Sequence, residues 1–312
     1  MRALRVPEAG GEPAVGEVPR PRVAPGHVLV SVRAAGLNPL DNVLAAGLLA
    51  DRFPYTYPLV LGRDAAGTVL AVGAGVDHVR PGQEVFGHTP LAAPLGAGTL
   101  AEYALLPAET VVPRPLGLDF VAAAALPLAS AAAFAAVDRI DPGPGETVLV
   151  DGATGGVGRY AVQLLALRGA RVVATGGAED CARLTALGAR LVVDRAAGPV
   201  ARQVRGLFPG GVDALIHLTS EDAPLDAVRA GGRVATTTGV PGPEALAAAG
   251  LTGSTVYARP LRETVEPLAE QAADGTLAVD VYAVLPLERA TEGLAVLAAG
   301  KARGKIVVTL GD

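Results

Sequence analysis

Val148-Leu149-Val150-Asp151 runs directly into Gly152-Ala153-Thr154-Gly155-Gly156-Val157-Gly158, and an alanine-rich segment with helical periodicity follows. The physical requirements of such a segment are specific. Glycine permits the tight reversal, lets backbone N–H groups come close to a ligand, and lets the next helix pack near the sheet. The start of that helix adds unpaired N–H donors and positive partial charge, a combination suited to a diphosphate. A glycine pattern alone carries little weight in a chain with 40 glycines. Its placement between an apolar strand and a helix, at the head of a strand–helix series, carries much more. The contacts expected for a dinucleotide are Thr154, Gly155, Gly156, Val157 and Gly158, with Thr175 at the end of the next strand. The alternative is a structural turn without a ligand.

The second strand, Arg171-Val172-Val173-Ala174-Thr175, ends in Gly176-Gly177. NAD-preferring sites place an Asp or Glu there for the ribose hydroxyls; here Glu179 and Asp180 only follow. Arg195 after the third strand and Arg183 on the intervening helix are the cations available to a 2′-phosphate, against a reading as solvated surface arginines. NADPH is the expected cofactor.

The elements that must position this turn change character along the chain. Up to residue 118 the sequence is rich in Gly, Pro, Val and short apolar runs, with strands expected at 27–35, 67–72 and 101–106. That half reads as a β-rich, partly open barrel. Beyond Pro113-Arg114-Pro115 an alanine-rich helical region runs to Ile140, and Asp141-Pro142-Gly143-Pro144-Gly145 breaks it. Apolar strands at 147–151, 171–175, 191–193, 213–218 and 233–237 then alternate with helices. This alternation predicts an α/β domain with a doubly wound parallel sheet. The tail from 281 to 310 is expected to return to the barrel, giving one domain from 1–118 and 265–312 and another from 119–264.

Composition narrows the chemistry. The net charge of −5 offers no general attraction to nucleic acid or anionic membrane. The apolar run 121–137 is mostly alanine and is broken by Pro127 and Ser130, so it reads as helices rather than a membrane span. The opening Arg2-Ala3-Leu4-Arg5-Val6 lacks the order of a signal peptide, and the cytoplasm is the expected compartment. Cys181 is the only cysteine, which excludes an intrachain disulfide and a zinc site built from several thiolates. It reads as a spectator on a helix face.

The glycine segment resembles the medium-chain dehydrogenase/reductase superfamily, specifically its zinc-independent quinone oxidoreductase (zeta-crystallin-like) branch. Further matching motifs are Gly36-Leu37-Asn38-Pro39-Leu40-Asp41, Gly62-Arg63-Asp64-Ala65-Ala66-Gly67, Gly98-Thr99-Leu100-Ala101-Glu102-Tyr103, Ala124-Ala125-Leu126-Pro127, Gly231-Gly232-Arg233 and Arg303-Gly304-Lys305-Ile306-Val307. The resemblance implies a GroES-like barrel plus a Rossmann domain, assembled as a homodimer, with NADPH in the cleft between them. Zinc-dependent relatives carry Gly-His-Glu where this chain has Gly62-Arg63-Asp64, so no metal is expected. Without a Lewis acid, the expected hydride acceptor is a quinone or an α,β-unsaturated carbonyl.

Within that reading Asn38 is the expected catalytic residue, its amide orienting the substrate carbonyl, against an Asx turn before Pro39. Asp41 reads as a helix cap. Tyr55, Tyr57 and His88 are expected to line the substrate pocket, against ordinary packing. His217, at the end of an apolar strand, and Lys305 are further expected cofactor contacts; for the histidines a structural role is the alternative. The family's frequent tyrosine, threonine and lysine positions are Leu49, Ala132 and Cys181 here, which implies a divergent substrate pocket and shifts the 2′-phosphate to Arg195. Two alternatives stand beside this reading: an enoyl reductase acting on a polyketide-type intermediate, and a non-catalytic NADPH-binding protein.

Overall fold

The computed structural model describes residues 1–238 and 241–311. The chain forms two units: residues 1–128 together with the chain from Pro260 onward, and Ala129–Arg259.

In the first unit, β1 (Arg2–Val6) pairs antiparallel with β2 (Ala14–Glu17), and after the long β3 (His27–Leu37) and α1 (Pro39–Ala45) comes β4 (Leu59–Val60), which completes a small three-stranded sheet on β1. β5 (Asp64–Val72), β6 (Glu84–His88), β7 (Tyr103–Pro107) and β8 (Val112–Pro113) follow, and α2 (Phe120–Ala125) leads into α3 (Pro127–Ile140). The second unit then runs β9 (Thr147–Asp151), α4 (Gly156–Leu167), β10 (Arg171–Thr175), α5 (Cys181–Ala186), β11 (Ala189–Val193), α6 (Val200–Leu207), β12 (Val212–His217), β13 (Val228–Thr236), α7 (Pro243–Ala248) and β14 (Thr252–Thr255). The chain ends in the first unit with α8 (Arg262–Ala273), β15 (Val281–Pro286), α9 (Ala290–Ala298) and β16 (Lys305–Thr309).

The larger sheet of the first unit has seven strands in the order β15-β16-β3-β5-β6-β8, with β7 also on β3. β3 is its axis. It pairs antiparallel with β5, β7 and β16, and its Val28, Val30 and Val32 bury against Val69, Val85, Leu106 and Val308. β-branched side chains suit such a pleated, half-buried surface. Gly67 marks its closest approach: a Cβ there would lie 2.0 Å from the Ser31 carbonyl oxygen.

The second unit holds a six-stranded, wholly parallel sheet, β11-β10-β9-β12-β13-β14. Every residue of β9 is buried, as expected of a strand covered on both faces. Leu149, Val173, Leu215 and Val234 form the centre of its core. Strand order reverses between β9 and β12, and the carboxyl ends beside such a reversal are where open α/β sheets bind ligands.

The division lies at 128/129 and 259/260 rather than at 118/119 and 264/265. The reason is packing: α2 lies on β3 and β5, and α8 contacts β8, so both helices belong to the first unit. The apolar run from 121 forms two helices, and among the described residues no helix is long and apolar enough to cross a membrane.

Substituting Gly67→Ala should lower folding stability by about 1–3 kcal/mol, because the β3–β5 backbones leave no room for a methyl group. Urea unfolding measures this, and an unchanged midpoint would mean that the two strands have slack.

Candidate functional site

The second unit carries the glycine turn. Gly152, at φ +86°, begins it in a conformation that L side chains rarely adopt. Gly155 stands at the N-cap of α4 with no side chain capping the helix. A Cβ on Gly158 would lie 2.2 Å from Gly152 O and 2.6 Å from Ala153 Cα, so the first turn of α4 rests directly on the loop backbone. At Gly155, by contrast, the nearest atom to a built Cβ is Gly152 O at 3.6 Å. A tight turn and an uncapped helix start fit a diphosphate, with the N–H groups of Gly156, Val157 and Gly158 as donors. Thr154, at the turn's apex, accepts a 3.0 Å hydrogen bond from Arg159 Nε on its carbonyl.

Three expected cofactor contacts are otherwise engaged. The Thr175 hydroxyl accepts from Gly152 N at 2.9 Å and lies 3.2 Å from Asp151 Oδ1, tying β10 to the turn. Arg195 grips Asp151 with Nη2 at 2.6 and 2.7 Å and Nε at 3.2 Å, and its other arm pairs with Glu221. His217 is fully buried, with Nδ1 2.8 Å from Asp151 Oδ2 and Nε2 3.0 Å from the Glu221 carbonyl. Burial alone would raise the Asp151 pKa; hydrogen bonds from His217 and Arg195 outweigh it and hold the carboxyl below its ordinary value. Asp151 is therefore the organising residue at the end of β9, and Arg195 is committed to it rather than to a 2′-phosphate. Arg195 and Glu221 line a cavity of about 620 Å³ together with Pro199, Val200, Asp222 and Pro224 among others. Cys181 is exposed, its Sγ 3.5 Å from the Gly177 carbonyl.

The first unit carries a second buried cluster, centred on Asp64. The register places Gly36 of β3 and His88 of β6 on either side of Asp64, while β16 pairs Ile306 with Leu37. Strand ends distant in sequence thus bring Asn38, His88 and Lys305 to one carboxylate. Asp64 Oδ2 accepts from Asn38 Nδ2 at 2.8 Å and lies 3.6 Å from Lys305 Nζ. Its Oδ1 meets His88 Nδ1 at 2.8 Å and accepts from Leu128 N at 3.2 Å. Burial pushes the carboxyl up, but His88, Lys305 and Asn38 together hold it below its ordinary value. Burial lowers the Lys305 pKa, opposed by Asp64 and Asp41.

This geometry changes the expected roles of Asn38 and Lys305. The Asn38 amide donates to Asp64 and to Gly36 O at 3.4 Å, and accepts from Lys305 Nζ at 2.6 Å on Oδ1. A lysine can only donate, which fixes the orientation of that amide and leaves it no donor for a substrate. Lys305 donates also to Leu37 O at 2.8 Å, so its ammonium is spent within the barrel rather than on a cofactor. Asp41 accepts from Asn38 N at 2.8 Å and from Gly62 N at 3.0 Å, serving as the cap it resembled in sequence. Burial, the largest influence, pushes its carboxyl up to about 6.

Tyr55 and Tyr57 stack obliquely, ring centroids 6.2 Å apart, beside the barrel core. Arg63, which sequence reasoning treated only as a departure from a zinc motif, is 1% exposed, the largest fully buried side chain in the chain's described core. Asp64, Asp151 and Arg63 were all legible as motif members; their role as buried charges was not.

The residues of this cluster do not fit a zinc ion. Where a ligand set would have to form, Asp64 and Asp41 are flanked by the cations Lys305 and Arg63. The lone thiol belongs to the other unit, and among the described residues no group of three His, Cys, Asp or Glu side chains could hold an ion.

Residues 24–116 match the model of the alcohol dehydrogenase GroES-like domain, and residues 187–308 that of the zinc-binding dehydrogenases. The chain is 31% identical to the chloroplastic quinone oxidoreductase QR1 of Triphysaria versicolor, over 99% of this chain and 98% of that one. A crystal structure of an NAD-dependent alcohol dehydrogenase superposes over the whole of both chains with a TM-score of 0.87 at 32% identity. A mycobacterial protein solved with NADPH gives 0.85 at 26% identity, over 99% of this chain and 100% of that one.

Two measurements test the Asp64 cluster. Asp64→Asn leaves the Lys305 ammonium buried without its counter-charge and should cost about 3–5 kcal/mol of stability; wild-type unfolding behaviour would refute the hub. By carbon-13 NMR the Asp41 carboxyl should titrate near 6, not near 3.8. The folded chain then holds that proton more tightly than the unfolded chain, so the group's contribution to stability falls as pH rises from about 4 to 6.

Proposed function

Because the chain belongs to the quinone oxidoreductase branch of the medium-chain dehydrogenase/reductase superfamily, we propose that this oxidoreductase binds NADPH and reduces a quinone or an α,β-unsaturated carbonyl without a metal. The observation that carries the reading is the uncapped start of α4, resting on a loop that glycine alone permits. Gly155, Gly156, Val157 and Gly158 hold the diphosphate, Thr154 lies at its edge, and the helix start supplies the partial positive charge. The bound cofactor supplies the hydride.

The rest of the work falls to the chain. Asn38, Asp64, His88 and Lys305 form a rigid floor in the barrel unit, on which Tyr55 and Tyr57 wall the substrate. Holding the acceptor in one orientation is a large part of the acceleration, since the reactive group belongs to the cofactor. A quinone or enone suits this site, whose residues do not fit a metal, because these acceptors need less polarisation than a simple ketone. The same reading expects a homodimer acting on a small molecule in the cytoplasm.

NADH is the second reading, and one contact favours it. A Cβ on Gly177 would lie 2.5 Å from Glu179 Oε2, so that carboxylate folds back to the end of β10 where a 2′-phosphate would sit. Of the two cations expected there, Arg195 is committed to Asp151.

Gly155→Asp separates cradle from fold. Gly155 has φ −75° and ψ 173°, open to any residue, and aspartate caps helices well, so stability should hold or rise slightly. Its carboxylate should weaken NADPH binding by about tenfold or more, measured by nicotinamide fluorescence. Equal affinity in the two proteins would remove the diphosphate from this turn. Incubating wild type with NADPH or NADH and a panel of quinones and enones, while following nicotinamide absorbance, tests the reaction and the cofactor; binding without any turnover would overturn the catalytic reading.

A further inference from the structure

Three hydrogen-bond donors on Arg63 and Tyr55 in the barrel unit have no acceptor; the unit's other such donor among the described residues, Arg114 Nε, belongs to a guanidinium whose two Nη groups are bonded. Arg63 Nε, Arg63 Nη2 and the Tyr55 hydroxyl are all shut off from solvent and unpartnered. Leaving a donor in that state costs stability, and more when it is charged. The nearby acids do not hydrogen-bond them. Both oxygens of Asp41 are taken by the backbone N–H groups of Asn38 and Gly62, and those of Asp64 by Asn38, His88 and Leu128. Asp41 and Asp64 balance the Arg63 charge through space without hydrogen-bonding it. Tyr55 and Arg63 also interact electrostatically, yet neither bonds the other. What the pair lacks is a single acceptor oxygen.

The two groups are chemically complementary around such an oxygen. Burial raises the Tyr55 phenol above its ordinary 10, so at neutral pH it keeps its proton. The Arg63 cation pulls the other way and would favour the phenolate once formed. Leu49, whose backbone approaches the Tyr55 hydroxyl, has no side-chain proton to give. The Asn38 amide is fully engaged.

We propose that Tyr55 is the proton donor of the reaction and that Arg63 binds the substrate's carbonyl oxygen beside it. The inference rests on the reading of this chain as a quinone or enone reductase. For an enone, a bound reduced nicotinamide would supply the hydride that makes the new C–H bond at the β-carbon. The C=C pair moves to make the enolate double bond, and the carbonyl π pair moves onto oxygen. Arg63 Nε–H and Nη2–H donate to that oxygen as its charge grows. The Tyr55 O–H bond breaks, its proton goes to the oxygen, and the enol relaxes to the ketone in water. The phenolate left on Tyr55, held by Arg63, recovers a proton from solvent. The sum is one hydride and one proton added to the substrate and one nicotinamide oxidised.

Tyr55→Phe keeps the ring and removes only the hydroxyl, so its thermal unfolding should match wild type. Enone turnover should fall about 100-fold while NADPH affinity stays constant. A second readout needs neither cofactor nor turnover: 4-nitrophenolate, a stable aryl oxyanion, should bind wild type with a shift of its visible absorbance. Its affinity should fall about tenfold in Tyr55→Phe and in Arg63→Met. Turnover of Tyr55→Phe within twofold of wild type, or nitrophenolate affinity indifferent to both substitutions, overturns the proposal. If wild type reduces no quinone or enone, the functional reading fails. The nitrophenolate arm then still decides whether Tyr55 and Arg63 form an oxyanion site.

Discussion

A carboxylate with no exposure to water holds the barrel unit together. Asp64 sits at the start of β5, and the groups that satisfy it come from β3's end, β6, β16 and the start of α3. Removing such a charge from water is expensive, and attraction to Lys305 repays it only because Asn38, His88 and the Leu128 amide fill the remaining lone pairs. The arrangement is better understood as a specifier than as a source of stability. Only one register of these strands lets every partner reach the same two oxygens.

The second unit uses the same device. Asp151 closes β9, and a histidine Nδ1 meets it at 2.8 Å, as His88 meets Asp64 in the first. Arg195 takes the place that Lys305 occupies in the barrel. In both units a strand-end aspartate, buried and ionised, fixes a histidine ring and a long cation beside the surface on which a ligand is proposed to act. For an oxidoreductase this matters, since orientation of reactants contributes much of the rate. The cost is that residues suited by type to contact a ligand, Asn38, Arg195, His217 and Lys305, are consumed in holding the scaffold.

That consumption shifts attention to the groups left unsatisfied. Native proteins pair nearly all buried donors, and those that remain orphaned ask for an explanation. Around α4 the unpaired donors are backbone N–H groups, matched to an anion. In the barrel, those of Arg63 and Tyr55 are proposed to meet a neutral carbonyl that becomes charged. The two sets differ in chemistry as the two halves of a hydride transfer differ.

Much of this was already present in the amino-acid order. The apolar strand running into Gly152–Gly158 follows from glycine's freedom and from the short range of a turn, both local properties that need no partner. The alternation of strands and helices beyond residue 145 likewise implied a parallel sheet, because crossover connections allow little else. The cap formed by Asp41 lies three residues from Asn38 and was legible for the same reason. Which side chains meet was decided elsewhere. Lys305 and Asn38 are 267 positions apart, Arg195 and Asp151 are 44, and nothing in their local spacing says that each would find the other. Sequence marks a residue's chemistry, but whether that chemistry is free or spent depends on long-range strand register. Here the tertiary structure spent the residues that looked functional and left Tyr55 and Arg63 unpaired.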